Sequence, residues 1–194
     1  MLFRSFTATE SANILLAKKF ILDKLETFNL TIGKIGAMMQ HSYFLSGGAI
    51  GSLLRGDDPN DYDIYFFYET DAKMVFNLYE NDASYTREVK VWDQKYRDAQ
   101  VGDMMITENA TTLKNGIQLI RKHYGQPGTI RKTFDFVHCM PYYDPEVDSL
   151  FISREQYDCC VNKVLKTNGV NPESWRTEKF IQRGYTVGEK IERR

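Results

Sequence analysis

The chain has 194 residues, enough for one domain or one domain with a small appendage. A formal net charge of −1 excludes a broad basic surface for gripping long nucleic acid, so any such contact must come from a local basic patch. Hydrophobic residues at 42% supply a sizeable core, yet no window approaches the roughly 18 consecutive apolar residues of a membrane span. The opening MLFRSFTATESAN turns polar too early for a signal peptide, so a soluble, intracellular protein is expected. Cys139, Cys159 and Cys160 are odd in number and show no C-x-x-C spacing. They read as buried, inert thiols rather than a disulfide framework or zinc site.

Residues 10–28 place Ile14, Ala17, Ile21, Leu25 and Phe28 on one helical stripe, with Ser11 or Thr9 as cap. The stripe suits packing on the chain's own core, and a partner-binding helix is the alternative. Tyr43, Phe44 and Leu45 suggest a short strand, broken by Gly47-Gly48 and followed by a short helix over 49–54. Residues 61–69 are rich in β-formers and predict a strand, and residues 70–82 predict a helix capped by Thr70 or Asp71. An edge strand is expected at 85–92 and a polar loop after it. Strands are expected at 104–109, 116–124, 134–139 and 149–153, with a short helix at 126–134 begun near Pro127. Two helices should close the chain. One runs from a Ser153 cap to a stop at Gly169. The other starts with Asn171 as cap and Pro172 at its first position, and stops at Gly184, before a frayed tail. The mixed order argues an α+β (α/β) fold with one mixed sheet and C-terminal helices. The expected division is a core over 1–152 and a helical extension over 153–194, packed as one compact unit.

Three features carry chemistry. A strand that ends in Gly47-Gly48 and runs into a helix offers backbone N–H groups to phosphate oxygens, with Ser46 as an added hydroxyl donor; an ordinary strand-to-helix turn is the plainer alternative. Asp61 and Asp63 are two apart in a strand and so project side by side. That pairing is costly unless a cation lies between them, or unless the strand start is simply solvated. Asp135, between Phe134 and Phe136, sits near the core, where a carboxylate should be paired or metal-bound unless it faces solvent from an edge strand. Taken together, Asp61 and Asp63 would bridge two cations, Asp135 would complete one of them and accept a proton, and the Gly-Gly turn would hold phosphates.

The spacing is then telling. Gly47-Gly48 follows a hydrophobic strand, twelve residues (49–60) intervene, Asp61-x-Asp63 opens a second hydrophobic strand, and a lone Asp135 lies in a later one. This pattern resembles the polymerase-beta-type nucleotidyltransferase superfamily. Residues 107–139, and RTEKFIQRGYTV at 176–187, resemble small phage-encoded nucleotidyltransferase-like proteins. The latter segment is more loosely similar to a helix of the CCA-adding and poly(A) polymerase branch. The resemblance implies a mixed sheet flanked by helices, two Mg²⁺ ions (with Mn²⁺ as a substitute) and a nucleoside triphosphate such as ATP. It implies transfer of a nucleoside monophosphate to a hydroxyl, on RNA such as a tRNA 3′ end, with pyrophosphate released. A protein or small-molecule acceptor, or a non-catalytic nucleotide-binding module, remain alternatives. If the chain is phage-encoded, its place is the host cytoplasm.

Further candidates are Arg176, Lys179 and Arg183, which share a helix face with Phe180 and read either as a nucleotide-contacting face or as a solvated stripe. Arg55 could reach a triphosphate or simply favour a helix C-terminus. His138 reads as a satisfied core histidine, Thr107, Asn109 and Thr111 as unassigned cleft candidates, and Tyr65 to Tyr68 as mostly core.

Overall fold

A computed structural model describes residues 5–81, 100–101 and 104–188. It opens with helix α1 (Ala8–Ile32). Its cap is Thr7, ahead of the expected Thr9 or Ser11. Of the three, only Thr7 has an acid three residues on, so its hydroxyl accepts from Glu10 N–H while the Glu10 carboxylate accepts from Thr7 N–H. The predicted stripe is the buried one: Ala17, Ile21, Leu25 and Phe28 enter the core and Ile14 packs at its margin.

Next come β1 (Tyr43–Ser46), α2 (Gly48–Arg55), β2 (Tyr62–Phe66) and α3 (Glu69–Asn81), then β3 (Gln100–Val101), β4 (Met104–Ile106), β5 (Ala110–Thr112) and β6 (Ile117–Ile120). Helix α4 (Pro127–Ile130) starts at Pro127 as expected. It leads through 3-10 turns at Arg131–Thr133 and Val137–Cys139 to β7 (Tyr142–Asp144) and β8 (Ser149–Phe151). The chain closes with α5 (Arg154–Val161), β9 (Val164–Leu165), α6 (Ser174–Gln182) and β10 (Thr186–Val187). The strand expected at 85–92 and the frayed tail beyond Gly188 lie outside the described residues.

The fold is mixed α+β. Its sheet runs β3-β4-β5-β6-β2-β1-β7-β8, antiparallel except where β2 and β6 lie parallel. Strand alternation gives this sheet two different faces. Tyr43, Leu45, Ile64, Phe66, Ile117 and Leu119 face the main core, packed under α1, α2 and α3. The alternate positions Asp63, Tyr65, Gln118 and Ile120 face the other way and line an open cleft.

Further expectations need correction, beginning with the Thr70 or Asp71 cap, since α3 starts at Glu69 and both lie inside it. Residues 134–139 are not a sheet strand: Phe136 makes one isolated bridge with Thr167, and 137–139 form a 3-10 turn. Their aromatic content serves packing instead, Phe134 against Tyr65 and Phe136 against Phe180. The helix capped by Ser153, with its Gln156 capping box, ends at Val161 rather than near Gly169. Lys163 takes a left-handed φ of 51°, and Val164–Leu165 pair with β10. The last helix starts at Ser174 with Glu173 as cap, so Asn171 and Pro172 precede it; Gly184, with φ 82°, lies just past its end as expected. Phe136, Leu165, Phe180 and Tyr185 form a second small core that seats α6 on the 134–139 segment.

Candidate active-site cleft

The glycine turn and the carboxylates are brought together. The chain leaves β1 at Ser46, whose register partner on β2 is Asp63, and turns through Gly47 into α2. Gly47 has φ 101° and ψ −161°, a region open essentially to glycine alone. A Cβ there would also stand 2.5 Å from Asp63 Oδ2. The turn is therefore pressed directly against the carboxylate. Gly47 N–H donates to the Cys139 carbonyl at 3.1 Å, so this amide is taken. Gly48 and Ala49, in the first turn of α2, line the cleft, where their N–H groups lack intrahelical acceptors and suit an anion.

Asp61 and Asp63 also line the cleft, and neither carboxylate makes an ion pair or hydrogen bond among the described residues. Burial raises the Asp63 carboxyl to about 7, and the neighbouring Asp61 charge pushes the same way, with Lys179 and Arg176 opposing. Two unpaired carboxylates crowded on one sheet face fit a divalent cation, which usually takes one or two protein carboxylates and fills its shell with water and phosphate oxygens. Gln118, beside Asp63 in the parallel register, adds a neutral amide to the same wall.

Asp135 lies in the same cleft but on a different element, and its carboxylate is ion-paired with Arg176 Nε. Among the described residues no three acidic, histidine or cysteine side chains stand close enough to enclose an ion. Asp61 and Asp63 form a pair, and the third expected carboxylate, Asp135, faces a cation of the protein's own.

Two other expected contacts are redirected. Ser46 is fully buried, and its hydroxyl donates to the Pro141 carbonyl at 2.8 Å and the Cys139 carbonyl at 3.2 Å. It latches β1 to the segment before β7 and does not reach the cleft. Ser46→Ala should cost about 1–2 kcal/mol in denaturant unfolding and leave nucleotide affinity unchanged, because it removes the Pro141 carbonyl's donor. Arg55 borders the cleft, but its guanidinium bonds Asp57 at 2.7 Å, the Cys160 carbonyl at 2.8 Å, Tyr185 Oη at 3.4 Å and Ser52 at 3.3 Å. It joins α2 to α5 and the C-terminal segment rather than waiting for a ligand.

Arg176, Lys179 and Phe180 of α6 line the cleft, together with Arg183, which caps the helix. Lys179 is exposed, and its ammonium makes no ion pair or hydrogen bond among the described residues. The cleft, about 900 Å³, also takes in Lys163, Trp175 and Tyr185, which the sequence reading did not single out. Asn109 reaches it, whereas Thr107 bonds its own turn and Thr111 is buried, accepting from Arg121 at 2.8 Å. His138 is fully buried among Phe136, Phe180 and Tyr185, and burial pushes its imidazole down to about 3, so it is a neutral core residue. Its Nδ1 has no partner among the described residues. Cys159 and Cys160 are buried; Cys139 borders the cleft with its thiol pushed up to about 12 by burial.

The fold is similar to that of several solved structures. A CCA-adding enzyme with ATP superposes with a TM-score of 0.55 at 15% identity, covering 97% of this chain and 44% of that one. A complex with CTP gives 0.54 at 18%, covering 85% and 39%. The Thermotoga maritima CCA-adding enzyme complexed with tRNA gives 0.51 at 17%, covering 85% and 39%. The chain thus has the fold of these nucleotidyltransferases and spans about two fifths of their length. In sequence, residues 16–162 match the Gabija anti-defense 2 (Gad2) family, and the chain belongs to that family. No curated protein matches it in sequence. No helix among the described residues is long and apolar enough to cross a membrane.

Proposed function

We propose that the chain is a metal-dependent nucleotidyltransferase of the polymerase-beta type, moving a nucleoside monophosphate from a nucleoside triphosphate to a hydroxyl. One observation carries this reading: two carboxylates without a partner among the described residues, Asp61 and Asp63, share one cleft with the basic residues of α6, and Asp63 is pressed against the Gly47 turn. Asp61 and Asp63 would hold Mg²⁺, or Mn²⁺ in its place. When bound, the cation would neutralise phosphate oxygens and favour ionisation of the acceptor hydroxyl. Gly48 and Ala49 N–H groups would hold phosphate oxygens, while Arg176, Lys179 and Arg183 balance the triphosphate charge. The acceptor oxygen bonds to the α-phosphorus, the bond from that phosphorus to the β-phosphate oxygen breaks, pyrophosphate leaves, and the hydroxyl proton passes to solvent. Catalysis by such a site is positioning and charge neutralisation.

The acceptor expected from the sequence, an RNA 3′ end, draws support from the neighbour solved with tRNA. The net charge of −1 favours a second reading, in which the hydroxyl belongs to a protein or small molecule. Membership of a family described by action against Gabija makes a defence protein the natural target class. The test is incubation with Mg²⁺, α-labelled triphosphates, and RNA or protein from cells carrying a Gabija system. Label in RNase-sensitive material supports the first acceptor and label in protein the second. Pyrophosphate release no greater than that of Asp61→Ala would remove the enzymatic reading and leave a nucleotide-binding module.

A further inference from the structure

We infer that Asp135 is a positioning residue for Arg176 rather than a metal ligand: it fixes the guanidinium, and with it helix α6, so that the free end of Arg176 meets the phosphates of a triphosphate. The inference rests on the proposed function for its ligand, but its geometry is independent. Asp135 Oδ2 accepts from Arg176 Nε, the inner nitrogen of the guanidinium. The two terminal nitrogens have no hydrogen bond among the described residues and remain on a side chain 39% exposed at the cleft, whereas Asp135 is 14% exposed. A carboxylate that took Nη1 and Nη2 would consume the fork that suits phosphate; one that takes Nε leaves nitrogens for it.

Asp135 is itself anchored. Its carbonyl accepts from Asn168 N–H at 2.9 Å, and the next residue, Phe136, bridges Thr167 and packs edge-on to Phe180 of α6 at 5.3 Å between ring centroids. On the other side the Arg176 guanidinium lies over the Trp175 ring at 5.4 Å. Carboxylate and indole together hold one orientation of a long, rotamer-rich side chain. Lys179 rides on the same helix and Arg183 caps its end, so the tether sets the position of the basic wall that shares the cleft with Asp61 and Asp63.

The test separates cation from phosphate. Mn²⁺ binding is read by the resonance of the free ion without nucleotide, and triphosphate binding by titration with a non-hydrolysable ATP analogue. Asp135→Asn and Arg176→Lys should each weaken the analogue roughly tenfold, and the double variant should be no worse than either single one. Asp135→Asn should leave Mn²⁺ affinity within about twofold of wild type, whereas Asp63→Asn loses it. Asp135→Glu, which keeps the charge, should restore most of the analogue affinity and certify the fold. Trp175 emission should shift in Asp135→Asn without any ligand, because the cation over the ring is released. Loss of Mn²⁺ binding in Asp135→Asn comparable to that in Asp63→Asn, additive losses in the double variant, or unchanged emission would each overturn the inference. If Asp135→Asn shifts the emission as described but the wild type binds no analogue, the proposed function fails and the tether stands.

Discussion

Asp63→Asn should raise the thermal midpoint of the metal-free protein at pH 8 by about 4–8 °C, and lower nucleotidyl transfer about a thousandfold, roughly 4 kcal/mol of barrier. The two effects have one origin. The Asp63 carboxyl is raised on folding from 3.8 to about 7, first by burial and then by the Asp61 charge. A raised acid holds its proton more tightly in the folded state, so stability falls as pH climbs from about 4 to about 7 and is level above that. Each tenfold in proton affinity is about 1.4 kcal/mol, and the water that still reaches the cleft reduces the total to about 2 kcal/mol at pH 8. The amide escapes this penalty because it never ionises. At pH 4 the two proteins should therefore unfold at nearly the same temperature, and the gap should open with pH. Mg²⁺ should stabilise the wild type and close the gap, leaving the variant unmoved. A variant less stable than wild type at pH 8 without divalent ions would mean that Asp63 has a hidden structural partner, and the cation-site reading would lose its footing.

That penalty was partly visible before any coordinates. The i, i+2 spacing of Asp61 and Asp63 requires one face whichever way the strand packs, and the buried alternation of Tyr62, Ile64 and Phe66 supplied the other. The α1 stripe was legible for the same reason: a long periodic segment has one way to bury its apolar side. Asp135 was harder. Its aromatic neighbours have strand propensity, but they answer to Tyr65 and Phe180, which lie far away in sequence. The partner of its carboxylate was named in the sequence as a member of a basic stripe, yet nothing in spacing says that a residue 41 positions on will reach back. Ser46 and Arg55 failed similarly. Each has the right chemistry beside the right motif, and each is claimed by carbonyls that only the tertiary fold brings near: Pro141 for one, Cys160 for the other. Strands β5 and β7, three residues each, are too short to show alternation at all.

Gly47→Ala should destabilise the protein by about 3 kcal/mol or more, a fall of roughly 6–12 °C in the thermal midpoint, while the adjacent Gly48→Ala should be neutral or slightly stabilising. The contrast follows from two separate costs at Gly47. Its backbone conformation is one that L-residues avoid, worth about 1–3 kcal/mol. The new methyl would also press on Asp63 Oδ2, a contact that only a shift of the carboxylate or of the turn can relieve. Gly48 carries neither burden: a Cβ there meets nothing within 4 Å, and it stands at the first position of α2, where alanine is the better helix former. The two costs can be told apart by adding Asp63→Ala, which removes the steric partner and leaves the dihedral strain. Gly47→Ala should then cost measurably less in the Asp63→Ala background than in wild type, a non-additivity expected for residues in contact. Strict additivity would mean that the turn does not touch the carboxylate in solution. Gly48→Ala serves a second purpose. Its methyl would stand beside the α2 amides, so analogue binding should weaken in that variant without any loss of stability, tying the anion site to backbone access rather than to the integrity of the fold.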